Sequence, residues 1–163
     1  MLLKPIQRKK LHSVLVEILG VGFAPKSREV RRDLLAHRNL KVLVAEDNEV
    51  NQIVAHRLIS GLGMEVRIAG DGKEAVEMSS EDRYDLIFMD CQMPVVDGFE
   101  ATGLIRAGES EGVRIPIIAM TANASQSDRE ACLAAGMDDF LTKPVTESEI
   151  VATIGRVLKL DRA

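Results

Sequence analysis

Tryptophan is absent from this chain and tyrosine occurs once. The two cysteines, Cys91 and Cys132, show neither metal-ligand spacing nor a disulfide framework. They fit best as small apolar residues in a reducing compartment. No apolar run approaches the ~20 residues that a membrane-spanning helix needs. Basic residues follow the first apolar pair at the N-terminus, but no long apolar stretch follows them, which excludes a signal peptide.

What remains is an ordinary globular composition, 46% hydrophobic over 163 residues, enough for one domain and an extension. Acidic residues outnumber basic ones, with a net charge of −4. The balance is uneven. Residues 1–40 hold nine Lys/Arg against three Asp/Glu, and residues 41–163 hold twelve against 22. This split marks a boundary near residue 40. The basic arm has one aromatic residue, Phe23, and no nucleic-acid-binding motif, so it reads as a solvated linker and not as a nucleic-acid contact.

From residue 41 strand and helix patterns alternate five times. The strands are Lys41–Ala45, Met64–Ala69, Leu86–Asp90, Ile115–Met120 and Asp139–Leu141. The first helix starts near Glu49 with Val50, Ile53, Val54 and Leu58 on one stripe, and stops at the glycines 61 and 63. The others run from Gly72 to about Ser79, Phe99 to Ala107, Gln126 to Ala135 and Glu147 to about Leu160, the last with Ile150, Ile154, Val157 and Leu158 inward. The pattern predicts an α/β fold: a (βα)5 flavodoxin-like, doubly wound parallel sheet. Strand 2 alternates apolar and charged residues, so it belongs at an edge, which fits the order 2-1-3-4-5.

Upstream there is a partial repeat. LKPIQRKKLHSVLVEIL (3–19) aligns without gaps to TKPVTESEIVATIGRVL (142–158), with Lys4 on Lys143 and Pro5 on Pro144. The expected domains are therefore a truncated C-terminal loop and helix of an upstream copy (1–20), a basic linker (21–40) and the intact unit (41–160). The N-terminal helical extension would expose Leu11, Val14, Leu15 and Ile18, a stripe expected to be covered by the intact domain or by a second copy in a homodimer.

Four apolar runs end on residues suited to phosphate or metal chemistry. KVLVA runs into Glu46 and Asp47, LIFM into Asp90, IPIIAM into Thr121, and FL into Thr142, Lys143 and Pro144. Ligands of open α/β sheets bind past the carboxyl ends of the strands. Three carboxylates crowded there repel one another unless a cation compensates, and a hard ion such as Mg2+, or Mn2+, is the natural one. Asp90, closing the central strand, is best placed to attack phosphorus and form an acyl phosphate. Lys143 and Thr121 could contact the phosphoryl oxygens. The X-Pro bond at Lys143 can be cis, which would turn the lysine back toward the strand ends.

The motifs VLVAEDNEVNQ, LIFMDCQMPVVDGFEATGLIR, IPIIAMTANA and CLAAGMDDFLTKPV together resemble a response-regulator receiver domain of the type in hybrid sensor histidine kinases. The resemblance covers about residues 41–160. It implies Asp90 as phosphoacceptor, with Glu46, Asp47, Asp90 and the main-chain carbonyl of Gln92 holding Mg2+. It implies that Lys143 and Thr121 contact the phosphoryl group, that Thr121 and Phe140 form the switch, and that Gln92 and Asn123 tune dephosphorylation. Phe140 has no phenolic hydroxyl, so a hydrogen-bonded form of that switch is unavailable. Asn48 and Asn51 match the hybrid-kinase subtype without evident chemistry. Phosphorelay signalling, a histidine kinase domain or histidine phosphotransfer protein as partner, a cytoplasmic location beside a parent that is free to be membrane-anchored, and catalysis limited to the domain's own phosphorylation and dephosphorylation all follow as expectations.

Three other readings compete. A flavodoxin-like cofactor binder needs a Ser-, Thr- or Gly-rich phosphate loop after strand 1, where Glu46 and Asp47 stand. An aspartyl phosphohydrolase commonly carries a second aspartate two places after its nucleophile, where Gln92 stands. A phosphorylation-independent interaction module has no need of the acidic site.

Overall fold

A computed structural model describes residues 33, 35, 36 and 38–160. Strands β1 (Lys41–Ala45), β2 (Glu65–Ala69), β3 (Leu86–Asp90), β4 (Ile117–Thr121) and β5 (Asp139–Thr142) alternate with helices α1 (Glu49–Ser60), α2 (Gly72–Glu81), α3 (Gly98–Gly108), α4 (Gln126–Ala135) and α5 (Glu147–Val157). The strands are parallel in the order β2-β1-β3-β4-β5, as the sequence pattern predicts.

Side chains of a strand alternate between the two faces of a sheet. Val42, Val44, Leu86, Phe88, Ile118 and Met120 therefore meet α1 and α5 on one side through Ala55, Ile59, Ile150, Val151 and Ile154. Leu43, Ala45, Ile87, Met89, Ile117 and Ala119 meet α2, α3 and α4 on the other through Ala75, Ala101, Ile105 and Cys132. In β2, Glu65 and Arg67 stay exposed while Val66 and Ile68 are half-buried, which is the edge-strand pattern. Helix starts are fixed by side chains that accept orphan backbone N–H groups: Asn48, Asp71, Asp97, Ser125 and Thr146, the last in a reciprocal capping box with Glu149.

Several expectations change. Strand β4 begins at Ile117, not Ile115. Pro116 has no N–H for the ladder, and Ile115 is held by side chains instead: its N–H donates to Glu109 Oε1 at 2.7 Å and its carbonyl accepts from Arg106 Nη1 at 2.7 Å. Helix α5 ends at Val157, since Leu158 leaves helical geometry and Lys159 takes φ +54°. Most of the apolar stripe of α1 is exposed. Val50, Ile53 and Val54 are exposed, whereas Ala55 and Ile59 are buried and Leu58 is half-buried.

The linker is not wholly solvated either. Leu35 is 0% exposed in the α1–α5 side of the core, which also holds Leu40. The expected upstream loop and helix (1–20), the homodimer stripe, and residues 21–32 lie outside the described residues. Among the described residues, no helix is long and apolar enough to cross a membrane.

Candidate functional site

The parallel register carries four strand ends to one edge of the sheet. Asp90 and Thr121 are the last residues of β3 and β4, Glu46 follows β1, and Lys143 follows β5. The ladder continues one step past the strands. Glu46 N–H donates to Ala69 O at 3.0 Å, and Lys143 N–H to Thr121 O at 2.7 Å. The Lys143–Pro144 peptide is cis.

Glu46 is 1% exposed and Asp90 4%, so both carboxylates are removed from bulk water. A buried carboxylate needs partners for its charge and its lone pairs. Lys143 Nζ supplies the charge, donating to Glu46 Oε2 and to Asp90 Oδ2, each at 2.7 Å. Gln92 N–H donates to Asp90 Oδ1 at 3.0 Å. Lys143 feels opposed influences: burial lowers its pKa, while hydrogen bonds and charges from Asp90 and Glu46 raise it, and the net shift is upward. It remains an ammonium.

The close approach of the β3–α3 connection is what allows this packing. A Cβ on Gly98 would stand 2.1 Å from the carbonyl oxygen of Asp90, so only glycine fits at the start of α3.

Asp47 completes the constellation from an exposed position. Glu46, Asp47 and Asp90 each offer a carboxylate oxygen, and these oxygens lie within 4.8 Å of one another. Three hard oxygen donors around an open side fit a divalent cation that keeps some of its water.

The structure thus brings Glu46, Asp47, Asp90 and Lys143 together. Thr121 sits at the adjacent strand end, where its hydroxyl donates to Asn123 O at 3.0 Å and accepts from Asn123 N–H at 3.2 Å. The side chains of Gln92 and Asn123 are exposed at the rim. Phe140 lies in β5, half-buried against the α2–α3–α4 side of the core, with the Arg129 guanidinium 4.5 Å from its ring centroid. That contact ties the aromatic ring to α4.

The first turn of α1 does more than the sequence shows. Asn51 Nδ2 donates to Glu46 Oε1 at 3.2 Å, Asn48 N–H donates to the same oxygen at 3.2 Å, and Gln52 Nε2 donates to Glu46 O at 2.7 Å. Asn48 also accepts from Val50 and Asn51 N–H as the helix cap. Asn48 and Asn51, without evident chemistry in sequence, hold Glu46 in place. The only signal was a cluster of amides just after an acidic pair.

Comparison with known proteins points the same way. The model of the response regulator receiver domain matches residues 42–155. Sensor protein GacS of Pseudomonas syringae pv. syringae is 37% identical over 156 residues, covering 93% of this chain and 16% of that protein, so the chain spans about one-sixth of that relative. The receiver domain of a sensor histidine kinase from Pseudomonas aeruginosa PAO1, solved with a magnesium ion coordinated in the active site cleft, superposes with a TM-score of 0.68 at 46% identity, covering 74% of this chain and 98% of that one. The receiver domain of Ssk1, solved with the histidine phosphotransfer signalling protein Ypd1 from Saccharomyces cerevisiae, gives a TM-score of 0.68 at 31% identity, over 77% of this chain and 92% of that one. With its sheet order, its strand-end carboxylates and this match over most of its length, the chain belongs to the response regulator receiver domain family.

Proposed function

We propose that residues 41–160 form a phosphorelay receiver that accepts a phosphoryl group from a phosphohistidine onto Asp90. The observation that carries this reading is the Lys143 ammonium spanning the buried carboxylates of Glu46 and Asp90, with Asp47 at the open side. Glu46, Asp47, Asp90 and the carbonyl of Gln92 would hold Mg2+, or Mn2+ in its place. Bound there, the ion supplies positive charge to the phosphoryl oxygens.

The chain's own residues do the rest. An Asp90 carboxylate oxygen attacks phosphorus as the P–N bond breaks, and the imidazole nitrogen keeps the bond pair. Lys143 offsets the charge of the acyl phosphate, and the Thr121 hydroxyl, freed from Asn123, donates to another phosphoryl oxygen. Gln92 and Asn123, exposed at the rim, set how readily water reaches the acyl phosphate. The added charge biases a two-state switch through Thr121 and Phe140. Turnover is confined to the domain's own phosphorylation and dephosphorylation.

The donor is a histidine kinase domain or a histidine phosphotransfer protein. The likeness to GacS and to the Ypd1-bound receiver supports this, as does the exposed apolar stripe of α1 at the rim of the site. We place the domain in the cytoplasm, within a hybrid histidine kinase whose upstream receiver copy ends in residues 1–20.

The test is direct. The chain is incubated with Mg2+ and acetyl phosphate and weighed intact. One added phosphoryl group, lost in Asp90→Asn and in the absence of divalent metal, is the expected result. No adduct at saturating donor overturns the reading in favour of a phosphorylation-independent interaction module.

A further inference from the structure

The thiols of Cys91 and Cys132 lie 3.8 Å apart, Sγ to Sγ. Both are free and buried, at 5% and 2% exposure. Cys91 directly follows Asp90, and its N–H and C=O are fixed by Met120 O and Gly98 N–H. Cys132 is the one buried residue of α4, whose outer surface includes Leu133 at 55% exposure. Helix α4 is therefore anchored to the sheet through its contact with Cys91 and through Arg129 over Phe140.

We propose that Cys91 and Cys132 are an oxidisable dithiol, and that a peroxide converts them to a disulfide that pins α4 to the end of β3 beside Asp90. A disulfide S–S bond is about 2.05 Å, so the sulfurs must close by roughly 1.7 Å. Because α4 buries so little, it is the element that moves, and segments with few buried apolar contacts open most readily.

The step balances in two stages. With α4 lifted, the Cys132 sulfur attacks one peroxide oxygen, the O–O bond breaks, and a sulfenic acid and one water form. The Cys91 thiol then attacks the sulfenic sulfur, releasing a second water and closing the disulfide. Two thiols lose two electrons and two protons, and the peroxide is reduced to water.

In the closed domain both thiols are buried away from solvent, so the pair is inert until α4 opens. The gating matters because α4 follows directly on the loop of Thr121 and Asn123. A helix pinned to β3 holds that loop and the Phe140 contact in one arrangement. The effect on phosphoryl transfer rests on the receiver reading above, whereas disulfide formation does not.

The experiment treats the whole chain with hydrogen peroxide and weighs it intact. A loss of 2 Da with loss of both free thiols, reversed by dithiothreitol and absent in Cys91→Ala and in Cys132→Ala, is expected (roughly two hydrogens per disulfide). Oxidation to sulfinic or sulfonic acid without a disulfide, or no reaction while the unfolded chain forms the bond, overturns the proposal. The oxidised and reduced forms are then compared for acetyl-phosphate uptake. Uptake at least about threefold slower in the oxidised form is expected, and equal uptake overturns the coupling to Asp90. If the reduced form takes up no phosphoryl group at all, the receiver reading fails instead, and the mass result stands by itself.

Discussion

Asn51 Nδ2 reaches back five residues to Glu46 Oε1 at 3.2 Å, on the carboxylate whose other oxygen takes the Lys143 ammonium. The amide thus sets the rotation of a buried carboxylate that faces the cation site. Groups that orient metal ligands are worth about tenfold or more in affinity when removed. Asn51→Ala is expected to weaken Mg2+ binding by about tenfold, read by isothermal titration calorimetry. Its fold is expected to remain, because the Asn51 side chain is exposed and the helix cap is Asn48. Unchanged affinity would show that Asn48 N–H and Lys143 suffice to hold Glu46.

Lys143 couples the site to pH. Its pKa is raised above 10.5 in the folded chain, through Asp90 and Glu46 outweighing burial. A raised folded pKa contributes stability that is fully present below the unfolded value and is lost as pH rises through the folded value. The denaturation midpoint of the wild type minus that of Lys143→Met should therefore stay level from neutral pH to about 10 and shrink above it. Mg2+ should restore part of the variant's deficit at neutral pH, since it replaces one cation beside two buried carboxylates by another. A difference that instead grows with alkaline pH would contradict the pairing.

Two glycines on α3 separate a site constraint from a helix propensity. At Gly98 an added Cβ meets Asp90 O at 2.1 Å, while at Gly103 nothing lies within 4 Å. Gly98→Ala should cost about 3 kcal/mol and reduce phosphoryl uptake at Asp90. Gly103→Ala should stabilise by about 0.5–1 kcal/mol and leave uptake unchanged. Urea denaturation with an uptake assay on each variant reads both.

The legible parts of the chain are those where one physical rule acts alone. Strand β3 is buried throughout and β1 from Val42 onward, each built on an apolar run, and both have the expected bounds. Helix α4 is bracketed by Ser125 as cap and by Gly136, which takes φ +101°, and both are visible in sequence. Where two rules compete, the reading slips. In β4 the apolar run starts at Ile115, but Pro116 and the Glu109 and Arg106 side chains claim its backbone. In α1 the most apolar stripe faces out, and the buried stripe is led by Ala55, which is too small to register. The carboxylates and lysine of the site were legible because each ends an apolar run. Asn51, Gln52 and the Cys91–Cys132 contact were not, because nothing in a single sequence shows which polar or small residues will meet.

The chain before β1 provides a sharper case. DLLAHRN reads as a charged linker, yet Leu35 is fully buried, in the core cluster that also holds Leu62, Ile59 and Ile154. The folding unit therefore begins before Lys41. Leu35→Ala is expected to destabilise by about 2–5 kcal/mol, as an interior leucine does. A solvated linker would show a change within about 0.5 kcal/mol in the same urea titration.

The outward stripe of α1 calls for its own test. Val50, Ile53 and Val54 are 68%, 59% and 44% exposed, on a helix whose first turn holds Glu46 through Asn51 and Gln52. On the proposed reading, a partner that brings a phosphohistidine to Asp90 would dock on this stripe, since clustered exposed apolar side chains mark contact surfaces. Acetyl phosphate is too small to need the rim. Ile53→Glu should therefore leave stability within about 0.5 kcal/mol and acetyl-phosphate uptake unchanged. It should slow transfer by about tenfold from a phosphorylated histidine phosphotransfer protein that serves the wild-type chain. Equal loss with both donors would place the defect in the Asp90 site, and no loss with either would remove α1 from the docking surface.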